Sequence, residues 1–153
     1  MGYLAGLPIK DTNATNFSIW KDKNGTFYFK QGKYILNDEE YLNFANTDIK
    51  DVIDKNVLVA GLGLGIVPQW LAKRRNKVDV IEIDKELIQA VTFYDYLDDK
   101  INIYWGDIFV YPAKKEKYDL AFIDVWWNEK DKTKIQIDLI EEKFRGIDIV
   151  YPL

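Results

Sequence analysis

An apolar run, Asn56-Val57-Leu58-Val59-Ala60, passes without interruption into Gly61-Leu62-Gly63-Leu64-Gly65, and a helical pattern follows from Gly65 to Arg75. This junction constrains the fold more than any other stretch of the chain. A strand without polar alternation must be covered on both faces, which suits the interior of a parallel sheet. The glycines let the backbone turn sharply and approach a ligand closely, and the helix start beyond them favours an anion. Pro68 is tolerated there because it falls in the first helical turn. A tight strand-to-helix turn without a ligand is the plain alternative. The strand before the loop and the helix after it favour the ligand loop.

Spacing narrows the ligand. The dinucleotide fingerprint GxGxxG would need glycine at position 66, where the chain has Ile66. A P-loop would need Lys and Ser or Thr after its last glycine, but Gly65 precedes Ile66 and Val67. Phosphate-transfer chemistry is therefore disfavoured.

The same alternation continues along the chain. Strands are predicted at 78–84, 101–105, 118–124 and 147–151, and helices at 85–96 and 131–143. Strands alternating with helices imply a doubly wound α/β fold with right-handed crossovers, a mostly parallel five-stranded sheet in the order 3-2-1-4-5. Before it, Ser18–Lys21 and Thr26–Lys30 flank Asp22-Lys23-Asn24-Gly25. An Asn-Gly pair between aromatic runs predicts an N-terminal β-hairpin whose two central residues both take positive φ. Lys33–Leu36 offers a third strand, and Asn37 or Asp38 suits the cap of a short helix over 39–46. Residues 1–16 read as an arm. The expected division is 1–50 for arm, hairpin and helix, and 51–153 for the α/β unit.

Composition excludes several chemistries. The 153 residues contain no cysteine and no histidine, so disulfides, thiolate nucleophiles, histidine bases and the usual zinc ligands are absent. No metal site is expected. Proton transfer must fall to Asp, Glu, Lys or Tyr. The net charge of −4 argues against nucleic acid as a partner, because phosphate contacts need clustered cations. No apolar run approaches the roughly 20 residues that span a bilayer, so no membrane association is expected, and the N-terminus lacks a basic signal-peptide region. The protein is expected to be cytoplasmic. Its aromatic content of 15% and the adjacent Trp126 and Trp127 suggest apolar surface that pairs in a homo-oligomer.

Acidic residues stand where the predicted strands end. Glu82 and Asp84 close the second strand of the α/β unit, Asp107 follows the third and Asp124 ends the fourth. A carboxylate after the second strand can accept both hydroxyls of a ribose. Asp107 with its apolar neighbour Ile108 can hold the amino group and face of an adenine. Ligands in open α/β sheets bind at the carboxyl ends of the strands, so these features should converge on one crevice with the glycine loop.

Taken together, NVLVAGLGLG (56–65), VDVIEID (78–84), WGDIF (105–109) and YDLAFID (118–124) resemble the class I S-adenosylmethionine-dependent methyltransferase superfamily, and most of all its spermidine-synthase-like branch. The hairpin and Asp38-Glu39-Glu40-Tyr41 resemble the small β domain that precedes the polyamine-synthase core. The fold so implied is Rossmann-like, with S-adenosylmethionine as cofactor and a small molecule or an unidentified compound as acceptor. The resemblance places Gly61, Gly63 and Gly65 against the methionine and ribose. It gives Glu82, and Asp84 beside it, the ribose hydroxyls, and gives Asp107 the adenine amine with Ile108 on the ring. Asp124 would be the catalytic group that orients the acceptor and takes its proton, with Asp119 and Glu129 as neighbouring acids. Trp126 and Trp127 would line the acceptor pocket by stacking or cation–π contact.

There are departures from the family pattern. Ala60 stands where many methyltransferases carry an acid, and Leu64 where polyamine synthases carry one. Asp124-Val125-Trp126-Trp127 replaces their Asp-x-x-Asp, and stands where amino-methylating nucleic-acid enzymes have Asp or Asn, two prolines and an aromatic. The chain is expected to be C-terminally short, with its last strand as an exposed edge. Methyl transfer is thus the leading reaction. The alternatives are aminopropyl transfer, cleavage of the cofactor side chain to methylthioadenosine, and a non-catalytic binding module.

Overall fold

The structure, a computed structural model, describes residues 12–14, 16–92, 97–126 and 131–152. Two sheets organise them. The first is antiparallel, with β1 (Thr12–Asn13), β2 (Ser18–Lys21), β3 (Phe27–Gln31) and β4 (Tyr34–Asn37) in spatial order. Alternation sets its faces. Ile19, Phe27 and Phe29 are buried, while Trp20 and Tyr28, paired across β2 and β3, stack with ring centroids 5.3 Å apart.

The expected hairpin is present, but its turn differs and it gains strands on both sides. The Gly25 amide bonds back to the Asp22 carbonyl, and the Asp22 amide to the Thr26 carbonyl. Gly25 takes φ 85°, whereas Asn24 is not among the residues with positive φ. The Asp22 carboxylate explains the longer turn, because its Oδ1 accepts from the amides of Asn24 and Thr26 at 2.8 and 3.1 Å. A side chain that bonds its own turn replaces the two-residue geometry. Within the predicted arm, Thr12–Asn13 pairs with β2.

Helix α1 (Asp38–Asp48) starts at a capping box. The Asn37 side chain accepts from the Glu40 amide, and the Glu40 carboxylate accepts from the Asn37 amide. Its buried face, Tyr41 and Ala45, continues through Ile49 into the same core as Leu62, Leu64 and Trp70. The N-terminal sheet and the α/β unit therefore share apolar packing.

The second sheet is parallel throughout, with β5 (Asn56–Ala60), β6 (Lys77–Glu82), β7 (Ile101–Trp105), β8 (Leu120–Ile123) and β9 (Asp148–Val150) in the spatial order β7-β6-β5-β8-β9. This is the expected doubly wound order. Val57, Val59, Val78, Val80 and Phe122 face α1, α2 (Ile66–Ala72) and α3 (Lys85–Thr92), while Leu58, Ala60, Ile81, Ala121 and Ile123 face α4 (Lys134–Lys143) through Ile140 and Phe144. Both faces of β5 and β8 are covered, which is why their sequences lack polar alternation.

Several boundaries are shorter than predicted. Helix α2 begins after Gly65 and stops at Ala72. Arg75 then takes φ 63°, and its guanidinium pairs with the Asp54 carboxylate. Strand β6 ends at Glu82, so Asp84 lies beyond it. Strand β8 begins at Leu120, and α4 begins after the Thr133 cap. Among the described residues no helix is long and apolar enough to cross a membrane.

One buried polar side chain ties the segment before β5 to the end of α2. Asn76 is fully buried, donates to the carbonyls of Val52 and Leu71 at 2.9 Å, and accepts from the Lys55 amide at 2.9 Å. Removing it strands two backbone groups, the Val52 carbonyl and the Lys55 amide, because the Leu71 carbonyl still accepts from the Arg74 amide. Asn76→Ala is expected to lower the unfolding free energy by about 2–3 kcal/mol in urea titrations. An unchanged midpoint would show that water replaces the amide at no cost.

Candidate functional site

The site forms where β5, β6 and β8 end. The backbone pairing of the strands continues one step into the loops. The Gly61 amide donates to the Ile81 carbonyl at 2.9 Å, and the Asp124 amide donates to the Ala60 carbonyl at 2.8 Å. Gly61, with φ 102°, thus lies directly against Asp124, and a methyl group at its Cα would overlap the Asp124 carbonyl oxygen. Gly63, with φ 53°, faces the ring of Tyr41, whose hydroxyl would lie 2.7 Å from a methyl there. Leu62 and Leu64 point the other way and are buried in the core. The loop is therefore anchored by its leucines and presents its glycines.

Glu82 ties this loop to the end of β6. Its Oε2 accepts from the Leu62 amide at 2.7 Å, and its Oε1 from the Asp84 amide at 3.0 Å. The side chain is only 8% exposed. Burial pushes its pKa above the ordinary glutamate value, with the nearby Asp84 acting in the same direction, while the amide bonds pull it back. Asp107 follows β7, and its Oδ1 accepts from the Phe109 amide at 3.0 Å. That local turn directs Ile108 inward, where it is 3% exposed.

These residues enclose a cavity of about 330 Å³ lined by Gly61, Gly63, Glu82, Asp107, Ile108, Asp124 and Trp126. The volume lies in the range of small-molecule sites. Two expected ligand residues are not among those lining it. Gly65 is the left-handed cap of α2, packed beside Leu97. Asp84 caps α3, with its Oδ1 accepting from the amides of Glu86 and Leu87 at 3.0 and 3.2 Å. A carboxylate at a helix start satisfies amides that have no partner within the helix, and that is the role Asp84 Oδ1 takes here. Asp119 lies at the opposite end of the sheet, where its Oδ2 accepts from the Asn56 amide at 2.9 Å. It cannot assist Asp124. Trp127 and Glu129 lie outside the described residues.

Four lining residues come from the N-terminal sheet and α1: Phe29, Gln31, Leu36 and Tyr41. Tyr41 is buried, and its hydroxyl pKa is raised well above 10, first by burial and then by the charges of Asp124 and Glu82. It is a neutral phenol at the base of the cleft. Gln136, in the first turn of α4, also lines the cavity, and its Oε1 accepts from Trp126 Nε1 at 2.9 Å. The Trp126 ring lies 6.1 Å from those of Phe109 and Tyr151, with the Lys132 ammonium 5.9 Å from its centroid. Sequence reasoning missed Tyr41 and Gln136 as site residues. Tyr41 stood in a quoted motif but nothing local assigned it to a ligand, and Gln136 carried no signal.

Solved structures share this architecture. An S-adenosylmethionine-dependent methyltransferase from Mesorhizobium loti superposes with a TM-score of 0.58 at 13% identity, over 73% of this chain and 51% of the other. A dimethyladenosine transferase from Plasmodium falciparum gives 0.55 at 23% identity, over 72% and 40%. The fold is that of a class I methyltransferase. No family model matches the chain. Among curated proteins, ribosomal RNA small subunit methyltransferases A are similar. That of Shewanella loihica is 27% identical over 84 residues, and that of Photobacterium profundum 30% over 76. Those alignments span 55% and 50% of this chain but only 31% and 28% of the relatives.

Within this methyltransferase fold the contact at Gly61 allows a direct test. Gly61→Ala meets both a positive φ and a backbone oxygen that cannot rotate away. It is expected to cost at least about 3 kcal/mol of stability in urea unfolding. A midpoint equal to the wild type would show that the loop moves off Asp124 freely.

Proposed function

We propose that this chain binds S-adenosylmethionine in the cleft and transfers its methyl group to a nucleobase amine of RNA. The observation that carries the reading is the convergence of Gly61, Gly63, Glu82, Asp107, Ile108 and Asp124 on one cavity at the carboxyl ends of adjacent strands. The curated relatives are named for ribosomal RNA and one structural neighbour for dimethyladenosine, which favours RNA over the small-molecule or unidentified acceptor expected from the sequence. Net charge is a sum over the whole chain, whereas phosphate contacts are local, and Lys132 lies beside Trp126 at the cleft.

The residues present fit the cofactor. Gly61 and Gly63 line the cavity with backbone alone, and Glu82 supplies a buried carboxylate within the cleft. Each carboxylate oxygen of Glu82 accepts one amide, which leaves further lone pairs for ribose hydroxyls. Asp107 would accept from the adenine amine and Ile108 would cover the ring. When bound, S-adenosylmethionine supplies an electrophilic methyl on a sulfonium whose departure as a neutral thioether needs no acid. Asp124 would orient the acceptor amine by accepting one of its N–H bonds. Once that nitrogen took the methyl and the thioether left, Asp124 would receive the proton it already accepts and pass it to solvent. Most of the rate then comes from holding nitrogen and methyl in line. Tyr41, uncharged, adds no further anion to a cleft already lined by Asp124 and Glu82.

Calorimetric titration with S-adenosylmethionine tests the cofactor, and mass spectrometry of the reaction with RNA tests the chemistry. Glu82→Ala is expected to weaken binding by about 1–3 kcal/mol, the cost of an unmet polar group. Ionised Glu82 accepts at both oxygens and attracts the cationic ligand, while protonated Glu82 does neither fully. Its raised pKa means that affinity is complete above that value and falls as the pH drops through it, at a midpoint above 4.5 that Glu82→Gln abolishes. Asp124→Asn is expected to lower turnover by about 10²-fold or more while leaving cofactor affinity within a few-fold. S-adenosylhomocysteine should accumulate with methylated RNA. Methylthioadenosine instead would point to the aminopropyl chemistry of the polyamine synthases, and binding without either product to a non-catalytic module.

A further inference from the structure

The acceptor side of the cleft has a polar group whose orientation is fixed. An indole N–H can only donate. Because Trp126 Nε1 lies 2.9 Å from the amide of Gln136, that amide must present its oxygen to the indole. The Nε2 end of Gln136, with two donors, is left as the group it can offer to the cavity that the residue lines. The backbone beneath it is fixed as well. The Gln136 amide donates to Thr133 Oγ1 at 3.2 Å, the cap of α4. The indole that sets the amide is itself held between Phe109 and Tyr151. Asp124, on the same cavity and two residues before Trp126, is an acceptor only.

We propose that Gln136 determines which base is accepted, by donating to a ring nitrogen adjacent to the amine that Asp124 orients. This deepens the methyl-transfer reading and rests on it. An acceptor at Asp124 and a donor at Gln136 complement an edge carrying an N–H₂ group beside an unprotonated ring nitrogen. Adenine has that edge at N6 and N1, and cytosine at N4 and N3. Guanine presents N1–H beside its amine on the Watson–Crick edge, which sets a donor against the Gln136 donors, and its other nitrogen flanking the amine, N3, is crowded by the ribose on N9. Uracil has no amine. The side chain is a specificity residue that acts by contact with the base, and Trp126 is the positioning residue that prevents the amide from flipping.

Gln136→Glu isolates this role. The glutamate can still accept from Trp126 Nε1, so the indole keeps its partner, while the donor end becomes a carboxylate oxygen. Oligomers of A, C, G and U are methylated with labelled S-adenosylmethionine, and cofactor affinity is measured in parallel by calorimetry. The wild type is expected to use A or C oligomers at least tenfold better than G or U, and the two favoured arms separate adenine from cytosine. Gln136→Glu is expected to lower kcat/KM on the favoured oligomer by at least about tenfold, mainly through KM, with cofactor affinity within twofold. Trp126→Phe is expected to narrow the preference among bases, because the freed amide can offer either end. Unchanged kcat/KM and base ranking in Gln136→Glu would overturn the proposal and leave the methyl-transfer reading intact, as would wild-type preference for G. Loss of cofactor binding in Gln136→Glu would also overturn it, as a structural effect. A wild type that binds the cofactor but methylates none of the four overturns the RNA reading and this proposal together.

Discussion

Gly61 packs against the backbone of Asp124 with no room for even one methyl group between them. Two hydrogen bonds set that distance, from the Gly61 amide to Ile81 and from the Asp124 amide to Ala60. They extend the ladder of the parallel sheet one residue beyond its strands, so the end of β5 is held between β6 and β8. The glycine loop must then turn immediately, and the acids after the neighbouring strands face the space it leaves. Glu82 closes the arrangement by accepting from the loop amide of Leu62. Pairing within the sheet, rather than the loop's own preferences, thus places the cleft.

The N-terminal sheet is part of this construction. Its helix α1 packs Tyr41, Ala45 and Ile49 into the core that the loop leucines also enter. Phe29, Leu36 and Tyr41 consequently close one side of the cleft. Burial of Tyr41, and then the charges of Asp124 and Glu82, keep its proton in place.

Much of this was legible in the sequence, because the signals were local. The uninterrupted apolar strands, the GLGLG turn and the acids at strand ends are read within a few residues of themselves, and the sheet order follows from alternation and handedness. The failures share a different cause. The turn at Asn24-Gly25 was decided by the Asp22 side chain, which bonds two amides and lengthens the turn. Asp84 lies two residues past the end of β6, where α3 needs a cap, and is not among the residues lining the cavity. Asp119 is near Asp124 in sequence, yet a four-residue strand separates them and sends them to opposite ends of the sheet. Tyr41 and Gln136 reach the cleft only through packing between elements distant in the chain, and nothing beside them in the sequence announces it.

The alternation of glycine and leucine over 61–65 has a consequence for how such a protein can change. Residues 61 and 63 set the space in the cleft, while 62 and 64, interleaved with them, are fully engaged in the core. The shape of the cleft and thermodynamic stability are therefore written in alternate letters of one five-residue word. A substitution at either kind of position disturbs the other within a single bond length of backbone. Variation in specificity is left to the far wall, where Gln31 and Gln136 contribute side chains outside the buried core and a replacement need not unsettle the fold.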